Sequence, residues 1–453
     1  MGTITLRQAA QWCGGQVDPK YENVTFFGAN NDTRKIMPGQ LFVALKGERD
    51  GHDFIPAAME AGASAVLCTH CDGDYPAIVV EDTRIALGDI ARKERERLGM
   101  KVVGVTGSVG KSTTKEMIAA VLQSAYRVGK TPVNHNNDIG MPMSVLAMGE
   151  GTQVAVLEMG MNHFREIAYL TSIAKPDIGV IINIGTMHIE HLGSQEGILK
   201  AKLEIREGMP AEGKLLLNGD DSLLWGQRTE VGLPVGYFGT QNTECSVLAE
   251  NVLESSGKIT FYVNTGNEKF GIELPLEGMH FVNDALAAVA VGLEMGVPVD
   301  KIAQALSEFR NMAGRQQIYE KNGFHIIEDC YNAGPESMAA ALNVLGNRQG
   351  RKVAVLGDML ELGVCTASEH YKVGRIVAEK ADMLLAFGPN SSKMLNGAFT
   401  GGMTSANARA FTDRDMLVKA LKQMAKPGDT LLFKGSRGMR MELALEQFLQ
   451  EEK

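Results

Sequence analysis

The segment Thr106-Gly107-Ser108-Val109-Gly110-Lys111-Ser112-Thr113 narrows what this chain can fold into more than any other. An apolar run at 102–105 precedes it, and residues 115–123 after it have helical spacing, so a glycine-bearing turn joins a buried strand to a helix N-terminus. A turn in that position cradles phosphate. Its glycines let backbone N–H groups converge on an oxyanion, the helix end adds partial positive charge, Lys111 reaches the outer phosphates, and Ser112 can ligate magnesium. Val105 stands where the general phosphate-loop pattern has its first glycine, which makes this the shorter Gly-x-x-Gly-Lys-Ser/Thr form.

A chain of 453 residues exceeds one ordinary core, and about three domains are expected. Residues 1–84 mix short strand-like pieces at 41–45 and 65–67 with one clear helix at 54–61. The run 85–98 reads as a helix with a charged outer face, which puts the first boundary near residue 84. From residue 101 strand and helix alternate. Compact apolar runs at 153–157, 177–184 and 214–217 are separated by helical stretches near 163–173 and 195–207; strand pairs follow at 244–276, then an Ala-rich helix at 283–295. A second alternating unit starts near Ala313, with strands at 324–327, 352–356, 383–387 and 430–433 and helices at 368–381, 416–424 and 439–448. The expected fold is α/β in three domains: a small N-terminal α/β domain (1–84), a central phosphate-loop ATPase with a mostly parallel sheet (85–312), and a C-terminal Rossmann-like α/β domain (313–453).

Composition excludes several classes. Hydrophobic residues at 44% and charged residues at 22% describe an ordinary soluble globular protein. A net charge of -9 opposes general binding to nucleic acid or an anionic membrane surface. There is no run of about 18 apolar residues, and residues 1–6 lack the basic region and apolar core of a signal peptide, so a cytoplasmic location is expected. Six cysteines in this length make no disulfide framework. Cys68-Thr69-His70-Cys71 has metal or redox spacing but no second pair nearby, and reads as small residues at a strand end.

Ligands of a parallel α/β sheet collect at the C-terminal strand ends. Glu158 ends one strand, and His188 and Glu190 follow the next, so each faces the phosphate loop. The base-reading Asn-Lys-x-Asp of a GTPase is absent, as is the strand ending in paired acids of a motor ATPase. A Glu and a His near a triphosphate indicate a second divalent ion beside the one on Ser112. Two metals on one phosphate chain suit phosphoryl transfer to an anionic acceptor. Taken alone, His188 reads as a capped loop histidine and Lys202 as an exposed helix lysine. Asp32-Thr33-Arg34 and the turn at 47–52 are polar loops at strand ends, where Arg34 and Lys46 offer phosphate contacts.

Nine elements recur together: the loop at 106–113, Asn134-His135-Asn136-Asn137, Leu157-Glu158-Met159-Gly160, Met187-His188-Ile189-Glu190, Ala201-Lys202, Gly314-Arg315, the run from Asp329 through Tyr331-Asn332 to Pro335, the run from Gly357-Asp358 to Gly363, and Lys434-Gly435-Ser436-Arg437. In that order, over nearly the whole chain, they resemble the Mur ligases of peptidoglycan synthesis. The resemblance implies an ATP-dependent ligase that phosphorylates a carboxylate and lets an amine attack the acyl phosphate. The variant it most resembles joins D-alanyl-D-alanine to UDP-N-acetylmuramoyl-tripeptide. The alternatives are the sister reaction that adds the third amino acid and, in another class, a phosphate-loop nucleotide switch.

The resemblance also implies roles. Lys111 stabilises the transferred phosphoryl group, Ser112 holds a first magnesium, Glu158 and His188 hold a second, and Lys202 takes up carbon dioxide as a carbamate. ATP contacts are implied for Thr106, Gly107, Ser108, Val109, Gly110, Lys111, Ser112, Thr113, Asn283, Arg315 and Asp329. Asp32, Thr33, Arg34 and Lys46 fall on the uridine-diphosphate side in domain 1–84. Asn136 and Asn137, with Tyr331, Asn332, Lys434, Ser436 and Arg437 of the amine-binding domain 313–453, complete the substrate contacts. Phe281 and Asp284 depart from the family, which usually has asparagine at both places. The implied partners are small molecules only, with no nucleic acid and no membrane, acting on a monomer.

Overall fold

In the computed structural model, residues 3–228, 232–255 and 257–450 are described. Residues 1–2 and 451–453, at the ends of the first and third expected domains, and residues 229–231 and 256 of the expected central domain lie outside them. Besides a two-stranded pair, Ile4–Thr5 with Thr25–Phe26, three sheets organise the described residues. Four short parallel strands (Ala29–Asn30, Leu41–Val43, Ala65–Cys68, Ala77–Val79) make the first. A nine-stranded sheet makes the centre. From one edge it runs Val128–Lys130, Val154–Glu158, Lys101–Thr106, Ile178–Ile181, Lys214–Asn218, Val235–Gly239 and Val247–Ser255, all parallel, then Lys258–Asn264 and Lys269–Leu274, antiparallel. Six strands make the third, parallel except for the edge strand Gln317–Lys321.

Several elements escape the sequence pattern. The first unit holds a second helix, Leu6–Cys13, closed at its start by a Thr5/Gln8 capping box. The helix expected at 54–61 is a 3-10 turn, Gly51–Phe54, followed by Ile55–Glu60. Val128–Lys130 is an edge strand built around a glycine, and Pro335–Gly346 and Ser391–Thr400 are further helices in the third unit. The strand expected at 177–184 stops at Ile181, because Asn183 turns its amide onto the phosphate loop instead of continuing the ladder.

Helix Thr83–Leu98 joins the first two units. Asp82 caps it by accepting the N–H groups of Arg84 and Ile85, and Gly99, left-handed at φ 63, ends it. One face lies on Leu6–Cys13 and another on Gly140–Leu146 and Glu166–Ala174. Its Leu87, Ile90 and Ala91 therefore share one core with Leu6 and Ile78 on one side and Met141, Val145 and Leu170 on the other. Full burial of Leu87 and Ile90 contributes roughly 2 kcal/mol each. No described helix is long and apolar enough to cross a membrane.

Behind the phosphate loop, helix His280–Glu294 packs on the loop's own helix, Lys111–Gln123. The contact is apolar except at Asp284, which is 4% exposed and accepts the Thr114 hydroxyl at 2.7 Å. Burial pushes its carboxyl up to about 7 from an ordinary 3.8, against the opposing effects of Thr114 and Arg315. Between those two values the folded chain holds a proton that the unfolded chain has lost. This group's contribution to stability therefore falls as pH rises through that window. In Asp284→Asn the penalty is gone: the melting temperature of the variant minus that of the native chain should rise by several degrees from about pH 5 to about pH 8. A constant difference across that range would show that Asp284 is ionised in the fold.

Candidate active site

Strand order places the chemistry. Strand Lys101–Thr106 lies between Val154–Glu158 and Ile178–Ile181, so the segments leaving these two strands flank the phosphate loop. Asn183 accepts the N–H groups of Ser108 and Val109 at 3.0 and 2.9 Å and donates to the Val109 carbonyl at 2.9 Å. Ser108 in turn accepts the Gly185 N–H at 2.9 Å. These bonds hold the bend of the loop. Gly110 takes φ +89, and a Cβ there would sit 2.7 Å from Asp284 Oδ1, so both conformation and space demand glycine. Lys111 Nζ donates to the carbonyls of Gly107 (2.8 Å) and Ser108 (3.2 Å), and burial lowers its pKa, with Glu158 opposing and Arg315 adding to the shift.

Glu158, 3% exposed, is held by the Thr131 hydroxyl on its backbone N–H (3.0 Å) and by Asn136, whose amide donates to Oε1 at 2.9 Å. Its Oε2 is buried without a hydrogen-bond partner, and Lys115 Nζ comes only to 4.0 Å. An orphaned carboxylate oxygen beside a phosphate loop fits a divalent cation. No three His, Cys, Asp or Glu side chains cluster among the described residues, so such a cation would take its remaining ligands from hydroxyl, phosphate and water oxygens. His188 sits at φ 64, its Nδ1 2.7 Å from Glu361 Oε2 of the third unit. Lys202, read from sequence as an exposed helix lysine, is 1% exposed. Burial and then the charge of Lys111 hold its amine well below the ordinary lysine range.

The third unit closes the space. Arg315 lies over the Tyr331 ring, 3.7 Å from its centroid, and donates to Ser112 Oγ at 3.2 Å. Lys434 donates to the Asp329 carboxylate and to the Asn332 carbonyl. Glu336, at the start of helix Pro335–Gly346, accepts both the N–H (2.8 Å) and the hydroxyl (2.9 Å) of Thr186. Burial keeps His280 neutral, with its pKa lowered to about 4. Together these groups enclose a cavity of about 900 Å³.

That cavity brings together Ser108 through Thr113, Asn136, Asn137, Glu158 and His188 with Arg315, Asp329, Tyr331, Asn332 and Lys434. Other residues singled out from the sequence stand behind its walls. Thr106 ends the buried strand with its hydroxyl unpartnered, Gly107 offers its carbonyl to Lys111, and Asn283 keeps a buried, unpartnered Oδ1. Ser436 ties two loops, donating to Ala333 O and accepting from Leu360 N. Arg437 pairs with Glu442 at the surface. Asp32, Thr33, Arg34 and Lys46 lie in the first unit, away from the cavity; there Arg34 clasps Asp32 through two 2.8 Å bonds, holding that carboxyl at about 2. Sequence reasoning missed Asn183, His280 and Glu336. A polar residue just past a strand end could have marked Asn183, and Gly334-Pro335-Glu336, a proline-led helix start, could have marked Glu336.

Family models for the Mur ligase family catalytic domain, the Mur ligase middle domain and the Mur ligase glutamate ligase domain match residues 26–102, 105–292 and 314–437. The UDP-N-acetylmuramoyl-tripeptide–D-alanyl-D-alanine ligase of Bacillus subtilis is 39% identical, over 98% of each chain. Among solved structures, MurF from Acinetobacter baumannii superposes with a TM-score of 0.91 at 31% identity, covering 100% of both chains. MurF ligase from Thermotoga maritima in complex with ADP gives 0.82 at 30% identity, covering 93% of this chain and 97% of that one. With the three domain models in order along its length and a relative of that identity spanning nearly all of it, this chain belongs to the Mur ligase family.

Proposed function

We propose that this chain is an ATP-dependent, amide-bond-forming ligase that joins D-alanyl-D-alanine to UDP-N-acetylmuramoyl-tripeptide, completing the pentapeptide precursor of peptidoglycan. The observation that carries the reading is the Glu158 carboxylate oxygen buried without a partner in the cavity that the phosphate loop lines; the Lys202 amine, buried outside that lining but close enough to feel the charge of Lys111, adds to it. A nucleotide switch has no use for that set. The γ-phosphoryl group of ATP passes to the tripeptide's terminal carboxylate, giving an acyl phosphate and ADP. The amine of the dipeptide then adds to the carbonyl carbon, and the tetrahedral intermediate expels phosphate to leave the amide.

Each residue has a part in these steps. Lys111 exchanges its two loop carbonyls for phosphate oxygens and stabilises the charge of the transferring group. Arg315 and Asp329 hold the nucleotide from the third unit, which excludes the water that would hydrolyse the acyl phosphate. Tyr331, Asn332 and Lys434, which line the cavity from the third unit, are assigned to the incoming amine. Glu158 Oε2, Ser112 Oγ and His188 fit two magnesium ions, which when bound would neutralise phosphate charge; the Glu361 carboxylate orients the His188 ring for that task. A desolvated, neutral Lys202 amine is the form that adds carbon dioxide, R-NH2 + CO2 giving R-NH-COO⁻ and H⁺. The carbamate would then face the ammonium of Lys111. Asp32, Thr33, Arg34 and Lys46 are assigned to the UDP end of the precursor, in the domain we bound at 1–84, with 85–312 and 313–453 taking ATP and amine. On this reading the working unit is a monomer acting on small molecules, placed in the cytoplasm with its UDP-linked substrate.

ADP release measured with ATP and UDP-N-acetylmuramoyl-tripeptide should depend on added D-alanyl-D-alanine and yield one amide per ADP. Release indifferent to the dipeptide, or a free diamino acid serving in its place with the dipeptide precursor, would overturn the assignment. Lys202→Ala should lower kcat by about 100-fold or more, with partial recovery on adding short-chain carboxylic acids. Full activity in the unsupplemented variant would remove the carbamate.

A further inference from the structure

Lys115, one turn beyond Lys111 on the same helix, is fully buried and has no part in the steps above. Its Nζ donates to the Thr131 carbonyl at 2.7 Å, lies 3.1 Å from Glu116 Oε1, and stops 4.0 Å from Glu158 Oε2. The last distance is too long for a hydrogen bond, so Oε2 faces a full positive charge and still has no partner. One residue sets that gap. Thr131, itself buried, holds Lys115 through its carbonyl and the Glu158 N–H through its hydroxyl. The charges on this side of the loop form a short chain in which Glu116 is shared between Lys115 and Lys130. Two lysines around one glutamate leave a positive charge over, and Glu158 is the acid that balances it. Lys111 also feels the charge of Glu158, but in the proposed steps it turns to phosphate, whereas Lys115 stays tied to Thr131.

We infer that Lys115 is a positioning residue that acts through Glu158, as the fixed counter-charge that keeps Oε2 unoccupied and makes capture of a divalent cation depend on nucleotide phosphate. The inference rests on the part of the ligase reading that gives Glu158 Oε2 to a cation. A charge pair that stops short of a hydrogen bond does two opposite things to an incoming ion. It leaves the oxygen free to ligate, since no donor has to be displaced. It also cancels much of the attraction, because a cation drawn to the carboxylate is repelled by the ammonium behind it, in an interior that screens charge poorly. The empty site therefore offers a lone divalent ion little. Negative charge from a phosphate chain on the loop tips the balance, so cation and nucleotide enter together.

The test is equilibrium dialysis of Mn2+ against the native chain, Lys115→Met, Lys115→Gln and Lys115→Arg. ADP is either absent or at equal free concentration on both sides, so that chelation in solution cancels. The native chain should hold Mn2+ at least tenfold more tightly with ADP than without. Lys115→Met and Lys115→Gln should hold it without ADP at least tenfold more tightly than the native chain does, a gain that damage to the fold does not produce. Lys115→Arg, which keeps the charge, should show no such gain, and adding Glu158→Gln to Lys115→Met should abolish it. Unchanged or weaker binding in the neutral variants, a gain in Lys115→Arg, or native binding that ADP does not improve would overturn the role of Lys115 and leave the ligase reading standing. Native binding that fails with ADP as well would take the cation from Glu158, and this inference with it. Should Lys115→Met fail to fold, Lys115→Gln keeps a donor for Thr131, and the native ratio needs no variant.

Discussion

A buried ammonium group must find oxygen atoms, and Lys111 finds them in the carbonyls of Gly107 and Ser108, two residues of its own loop. The rest of the central unit serves that arrangement. The two carbonyls converge because Asn183, from the neighbouring strand's exit, holds the N–H groups of Ser108 and Val109, and because Gly110 adopts a conformation closed to side chains. Asn183 is in reach only because strand Ile178–Ile181 is the neighbour of Lys101–Thr106, and Glu158 only because Val154–Glu158 is the neighbour on the other side. Phosphate oxygens are stronger acceptors than carbonyls for a desolvated ammonium, so on the proposed function a triphosphate would take the place of the loop's own carbonyls.

Closure by the third unit follows from the same electrostatics. Arg315 reaches Ser112, Glu336 takes both polar groups of Thr186, and Glu361 meets His188. Each of these contacts pairs a charge on one unit with a polar or titratable group on the other. Interfaces of this kind are strong when water is absent and weak when it is present. Closing therefore strengthens the contacts that hold it closed. An acyl phosphate needs that kind of cover, since the attacking amine must outcompete water at far higher concentration.

Much of this was legible in the sequence wherever a short local pattern sufficed. The strand, glycine turn and helix around residues 102–123 could be read because hydrophobic runs and glycines are adjacent, and so could the alternation from 352 to 449 apart from Ser391–Thr400 and Ala408–Phe411. Val128–Lys130 could not, being three half-exposed residues with a glycine in the middle and no apolar run to mark them. Helix Leu6–Cys13 hid behind polar residues on its outer face. The site was harder. Ser436 and Asn137 have the polar chemistry of ligand contacts, yet their hydrogen bonds serve loops, with Asn137 accepting the Gly140 N–H at 2.8 Å. Asn183 and Glu336 act on partners 75 and 150 residues away, and no window along the chain contains both ends of such a contact.

Lys202 shows most clearly what local sequence leaves out and what burial adds. Its neighbours in helix Gln195–Leu203 give it the look of a solvated lysine, and only the packing of that helix against Glu166–Ala174 and Ser222–Trp225 removes it from water. Two amines are then buried near one another, and a proton on either disfavours one on the other. Lys111 has the charge of Glu158 in its favour, whereas Lys202 has desolvation and the repulsion of Lys111 against it. Of the two, Lys202 is the readier to lose its proton and act as a nucleophile, and any reaction that turns it into an anion converts the repulsion between the two positions into an attraction.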